Sequence, residues 1–165
     1  MEDRVAITNV YSLESVRYVL RGNEAAVAMF MALRDVLHFW DDLVDRDKPL
    51  TDADINRAME LVLLELPRMP FYRANFDVIH TTLVSAILNW KAATQFERTD
   101  ESAAHIAYII RSDYANILIQ CAYLVGGMGW ASFITPTIRK LWTNESFEEY
   151  CVNTEIERAK REEAA

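Results

Sequence analysis

The sequence predicts an all-α protein, an irregular bundle of about six to seven helices forming a single domain over residues 1–165. Three observations predict it. Only 4 Gly and 4 Pro occur in 165 residues, so turn chemistry is sparse and the chain must build a few long elements. Apolar residues recur at helical spacing over long windows. No alternating apolar–polar run of strand length is present. At 52% hydrophobic and 25% charged residues, the chain has the composition of a globular protein large enough to bury a core.

Ser12 caps a short first helix that runs to Arg21 and stops at Gly22, since serine accepts from free backbone N–H groups and glycine tolerates the helix-terminating conformation. Asn23 caps a second helix to about Asp47, with Ala26, Met29, Phe30, Leu33, Leu37, Trp40 and Val44 on one stripe, and Pro49 ends it. Thr51 caps a third, with Asp54 where a capping box prefers Glu; its stripe is Ile55, Met59, Val62 and Leu63, and it ends near Leu66. After the turn Pro67-Arg-Met-Pro70, a fourth helix is predicted from Phe71 to Phe96 with Phe76, Ile79, Leu83, Ile87 and Trp90 inward. A fifth opens at Glu101 or Ser102 and runs to Gly126. Its apolar residues lie on both sides (Ile106, Ile110, Ile117, Cys121 and Leu124 on one, Leu118, Ile119 and Tyr123 on the other), which predicts a central, buried helix. A sixth covers Trp130 to Trp142, kinked or split by Pro136. Ser146 with Glu149 in capping-box spacing opens the last helix.

Charge and cysteine usage exclude several function classes. A net charge of −8 with no concentrated basic surface disfavours nucleic acid as a partner. Cys121 and Cys151 are far apart, with no CxxC and no histidine at zinc-finger spacing, which fits free thiols in a reduced cytoplasmic setting. The opening Met1-Glu-Asp-Arg-Val-Ala-Ile-Thr8 has no apolar segment of the secretory type. From Tyr114 to Ile138 no charged residue occurs, a stretch long enough to span a bilayer. Asn116, Gln120, Pro136 and the glycines Gly126, Gly127 and Gly129 interrupt it, so a buried helical hairpin is expected, without membrane insertion.

The strongest functional signal is His38-Phe-Trp-Asp-Asp-Leu-Val-Asp-Arg-Asp47. A helix C-terminus carries partial negative charge, so each aspartate there costs a few tenths to ~1 kcal/mol unless a cation offsets it. Asp41, Asp42, Asp45 and Asp47 repeat that cost, and Arg46 and Lys48 offset part of it. A bound Mg²⁺ would remove the conflict, because hard cations prefer carboxylate oxygens. Asp41 and Asp45 stand one turn apart, and His38 shares their polar sector. Within the fifth helix Asp113, Asn116 and Gln120 line up at i, i+3 and i+7; a buried carboxylate needs a partner, so Asp113 is expected either to face the aspartate cluster or to join a structural hydrogen-bond network. His80 falls on the expected core stripe three residues after Asp77, a spacing seen in bundle metal sites, but one such pair is a weak signal and a satisfied core histidine is the simpler expectation. No GxSxG, plausible Cys–His pair or glycine-rich phosphate loop is present.

Asp41-Asp-Leu-Val-Asp45 matches DDxxD and resembles the aspartate-rich motif of class I isoprenoid synthases. That resemblance implies an all-α fold, Asp41, Asp42 and Asp45 as Mg²⁺ ligands and a prenyl diphosphate as substrate. The family's second metal motif has no matching copy, since Asn153 is followed by Glu157 and Arg161 at the Ser/Thr and Glu positions. Over most of its length the chain also resembles small tailed-bacteriophage proteins. The blocks that carry this are Trp40-Asp-Asp-Leu-Val-Asp-Arg-Asp-Lys-Pro49, Glu65-Leu-Pro-Arg-Met-Pro-Phe-Tyr72, Ala86-Ile-Leu-Asn-Trp90 and Tyr123-Leu-Val-Gly-Gly127. This likeness implies a phage origin and a host cytoplasm. The residues support two readings. One is a Mg²⁺-dependent site for a diphosphate-containing small molecule, built on Asp41, Asp42, Asp45 and Asp113 with His38, His80, Asn116 and Gln120 around it. The other is a non-catalytic helical interaction and assembly protein, for which a homo-oligomer is a natural form.

Overall fold

The computed structural model describes residues 12–45, 48–142 and 145–163, and every regular element among them is helical. Residues 1–11, and Arg46 and Asp47 of the aspartate run, lie outside the described residues. Helix α1 (Leu13–Val19) begins where Ser12 Oγ accepts from the Ser15 N–H at 3.1 Å. Its end differs slightly from expectation. Arg21, not Gly22, takes the first left-handed position at φ 53°, and Gly22 comes next at φ 71°. The N–H groups of Arg21 and Gly22 return to the carbonyls of Tyr18 and Arg17, which closes a Schellman turn.

Helix α2 (Glu24–Asp45) starts under Asn23, whose Oδ1 accepts from Ala26 N–H at 3.1 Å. Its buried stripe contains Ala26, Met29, Phe30, Leu33 and Leu37, as the periodicity predicts. Helix α3 (Asp52–Glu60) opens on a complete capping box, with Asp54 in the role usually given to Glu. Here the expected stripe is out of phase: Ala58, Leu61 and Leu66 are buried, while Ile55, Met59 and Leu63 face outward. A π turn at Leu61–Glu65 and a 3₁₀ turn at Leu66–Arg68 end the segment and shift the angular position of everything beyond residue 60.

The expected fourth helix is divided. α4 (Pro70–Ala74) ends at Asn75, which leaves helical geometry at φ −125°, and α5 (Phe76–Thr99) starts at once. Within α5, Ile79 and Trp90 are buried as the periodicity predicts, together with Ala86 and Ala93, while Phe76, in the first turn after the break, is exposed. The expected fifth helix is divided as well, into α6 (Ala104–Ile110), a 3₁₀ turn at Arg111–Tyr114 and α7 (Ala115–Trp142). Ile106 therefore lies exposed while Ala107 is buried, and Tyr123 points outward while Ile117, Leu118, Cys121 and Ala122 fill the core.

α7 is a hairpin rather than a rod. Arg139 hydrogen-bonds Asn116, 23 residues earlier, a separation of about 35 Å along a straight helix. The chain reverses at Gly127, with φ 72° and ψ −179°, so residues 115–126 and 128–142 pack side by side. That backbone conformation is essentially restricted to glycine. The interruption therefore falls at the double glycine, while Pro136 lies inside the second half without breaking its helical dihedrals. The tip is fastened to α1. Trp130 Nε1 donates to the Val19 carbonyl at 2.8 Å, its ring meets Tyr18 edge-on, and the Arg21 guanidinium lies over it. By length and composition the stretch Glu101–Trp142 is apolar enough to cross a bilayer, with 33% of its most apolar window buried. The reversal leaves each half of α7 shorter than the ~20 residues a spanning helix needs.

Helix α8 (Phe147–Glu163) begins at the Ser146–Glu149 capping box. The main core joins α1, α2, the end of the α3 segment, α5 and both halves of α7; a smaller cluster of Ala93, Ala107 and Tyr150 attaches α8.

Candidate functional site

The aspartates at the end of α2 diverge. Asp41 Oδ1 accepts a 2.9 Å hydrogen bond from Trp90 Nε1 of α5. Asp42 pairs with Lys48 at 2.5 Å. Asp45 pairs with Arg98 of α5 at 3.3 Å and Arg161 of α8 at 3.1 Å. The electrostatic conflict visible in the sequence is thus met by cations and an indole donor that the fold delivers. Asp113 does not face this cluster. It accepts from Asn89 of α5 and lies 3.8 Å from Arg139, in a structural network of the kind the sequence offered as the alternative. Among the described residues no group of three or more His, Cys, Asp or Glu side chains is placed to hold a metal ion. The arrangement therefore does not fit the Mg²⁺ cluster implied by the DDxxD resemblance, because each carboxylate is directed to a different protein partner.

The remaining sequence candidates are also separated. His80 is exposed, not on the core face, and stacks on Phe76 with ring centroids 5.0 Å apart. Asn116 is held by Arg139 on the α7 hairpin, and Gln120 is half-buried on the same half of α7. None of these three lines the principal cavity.

His38 and Asp41 do line it. Between α2, α5, α6, the Arg111–Tyr114 turn and α7 lies a cavity of about 340 Å³. Its walls are Phe30, Leu33, Leu37, Trp90, Tyr108, Tyr114, Ile117 and Trp142, and its polar groups are Arg34, His38, Asp41, Arg111, Ser112 and Glu145. Volumes of this order, apolar walls and a few converging polar groups are the usual properties of a small-molecule site. The α2 contribution is a direct consequence of helical spacing: Arg34, His38 and Asp41 stand at i, i+4 and i+7 beside the apolar stripe of Phe30, Leu33 and Leu37. That stripe was readable in the sequence. The contributions of Tyr108, Arg111, Ser112, Tyr114 and Glu145 were not, since they depend on where the 3₁₀ turn and the start of α8 come to rest.

Electrostatics define what the cavity can hold. Partial burial lowers the His38 pKa from its ordinary value, and the nearby Arg34 charge adds to this against the carboxylates around it, which favours the neutral imidazole. Burial and then the Asp41 charge raise the Tyr114 pKa well above the ordinary tyrosine value, keeping its hydroxyl protonated. Arg34 pairs with Asp35 at 2.6 Å and Arg111 with Glu97 at 3.0 Å. Ser112 Oγ donates to the Ile109 carbonyl at 2.7 Å, which is a helix-end contact rather than an activated nucleophile. The cavity thus offers an aromatic container with neutral hydrogen-bonding groups and balanced charge.

A second, smaller cleft of about 170 Å³ lies next to it and is polar, with Arg111 and Glu145 shared between the two. Comparison of the chain with protein-family models, curated proteins and solved structures finds no match.

Proposed function

We propose that this protein binds a small, largely apolar organic molecule, with a planar body and a hydrogen-bonding end, in the cavity between α2, α5 and α7. The observation that carries the reading is the convergence of His38, Asp41 and Tyr114 on a cavity walled by Phe30, Trp90, Tyr108 and Trp142. Aromatic walls supply flat apolar contact, and the few polar groups select orientation. The reading is one of binding: Ser112 donates to a backbone carbonyl, and Arg34 and Arg111 pair with carboxylates.

The test is a thermal-shift and tryptophan-fluorescence screen with a library of planar aromatic compounds bearing one polar group. Ligands are expected to raise the Tm of the native chain, as any native-state ligand does, and to lose that effect in Ser112→Phe, which fills the cavity from its rim. Compounds that stabilise both proteins equally would place binding elsewhere.

One observation favours a second reading, a helical interaction protein. Ile55, Met59 and Leu63 form an outward apolar line along the α3 segment. If that line carries self-association, light scattering at rising protein concentration should show a dimer that Met59→Asp disperses.

A further inference from the structure

The charges around the principal cavity do not cancel once the partners of its lining residues are included. The lining itself carries Arg34 and Arg111 against Asp41 and Glu145. Each guanidinium also has a carboxylate of its own: Asp35 stands 2.6 Å from Arg34, and Glu97 3.0 Å from Arg111. The two lining carboxylates accept from uncharged donors, Asp41 from Trp90 Nε1 at 2.9 Å and Glu145 from Asn153 Nδ2 at 2.9 Å. Among the described residues, Asp35, Asp41, Glu97 and Glu145 therefore stand against Arg34 and Arg111 alone. Arg98, Arg158 and Arg161 belong to the neighbouring cleft, together with Asp45 and Glu157.

Two half-buried groups of the lining respond to this excess. Burial alone would lower the Arg111 pKa, yet Glu97, Tyr150, Asp41 and Glu145 raise it above its ordinary value. Tyr114 is raised by burial first and by the Asp41 charge second. At His38, after burial, the Arg34 charge is the largest single influence. The negative side of the cavity is thus that of Asp41, Tyr114 and Arg111.

The walls favour the same sign of ligand. Phe30, Trp90, Tyr108, Tyr114 and Trp142 surround the space with aromatic rings. A ring face is negative, so it attracts a cation and repels an anion. Apolar walls also exclude water, which strengthens the pull of a carboxylate on a bound charge.

We propose that the ligand of this cavity is an organic cation, an arylalkyl ammonium whose charged end sits at Asp41 among the aromatic rings. This deepens the reading of the cavity as a small-molecule site and rests on it. An anionic end would oppose both the carboxylates and the ring faces, and an uncharged end would forgo both attractions.

The probes that test it share one body and differ in charge: phenethylamine, its trimethylammonium derivative, phenylethanol and phenylpropionate. Each is titrated at neutral pH and low ionic strength, with the fluorescence of the wall indoles Trp90 and Trp142 and the Tm as readouts. Both ammonium probes should bind about tenfold or more tightly than phenylethanol, with phenylpropionate the weakest. Asp41→Asn keeps an oxygen for the Trp90 N–H and removes the charge, so it should close the gap between the ammonium probes and phenylethanol. Glu145→Gln, which keeps the acceptor for Asn153, should narrow the same gap and serves as the test if Asp41→Asn does not fold. Phenylethanol or phenylpropionate binding as tightly as the ammonium probes overturns the cation preference and leaves the cavity a binding site. Ammonium binding that neither substitution weakens lies elsewhere on this acidic chain and also overturns the preference. If no probe binds, the preference fails, while the cavity reading itself is decided by the broader library screen.

Discussion

At the scale of single residues, the decisive fact is that neighbouring aspartates on one helix have different fates. Asp41 faces the cavity, Asp42 turns to Lys48 and Asp45 reaches a second cleft. Because protein cations already answer these charges, millimolar Mg²⁺ is expected to leave the Tm unchanged. A rise that Asp41→Asn with Asp45→Asn removes would restore the metal reading. Asp113→Ala should cost about 1–3 kcal/mol by leaving the Asn89 amide without its acceptor, and a chemical-denaturation midpoint equal to that of the native chain would show the network to be idle. His38 titrates below its ordinary value because burial penalises the imidazolium. The folded state therefore binds its proton less readily than the unfolded state. Its contribution to stability is present above about pH 6.5, the unfolded value, and is lost as pH falls through the lower folded value. An NMR titration placing His38 at or above the unfolded value would contradict this.

At the scale of elements, the breaks determine which faces are buried. Asn75, the π turn at Leu61–Glu65 and the 3₁₀ turn at Arg111–Tyr114 each change the angular phase of the residues beyond them. Periodicity located the helices but misassigned Ile55, Met59, Phe76, His80 and Ile106, which lie exposed. Gly127 is the most demanding of these positions. Gly127→Ala should lose about 1–3 kcal/mol, because an alanine there must adopt a glycine-only conformation or unbend the hairpin. Gly126 is constrained by space instead: a Cβ would stand 2.5 Å from the Trp130 ring, so Gly126→Ala must displace the indole that caps α1. Near-native thermal unfolding of both variants would refute the account of the tip. The caps, by contrast, were legible. Ser12, Asn23, Thr51 and Ser146 all accept the hydrogen bonds their positions imply, because capping depends on residues only three apart.

At the scale of the whole molecule, one apolar core carries α1, α2, α5 and α7, and a small second cluster with a polar clamp carries α8. The cavity lies where these two parts meet. Its walls come from elements more than a hundred residues apart, with Phe30 and Arg34 at one end of the chain order and Trp142 and Glu145 at the other. A site assembled this way leaves little local trace. Of its α2 residues, His38 and Asp41 belong to the run His38–Asp47 that the sequence marked, and Arg34 carried no signal of its own.

The sequence by itself determined the helical class, the capped starts and the core stripe of α2, because these depend on short-range spacing and backbone chemistry. It also marked the end of α2 as a charge conflict. Tertiary structure alone decided how that conflict is resolved, since Trp90, Arg98 and Arg161 lie 49 to 116 residues from the aspartates they meet. A carboxylate's preference for a cation is local and readable; whether that cation is an ion or an arginine from another helix is a question of packing.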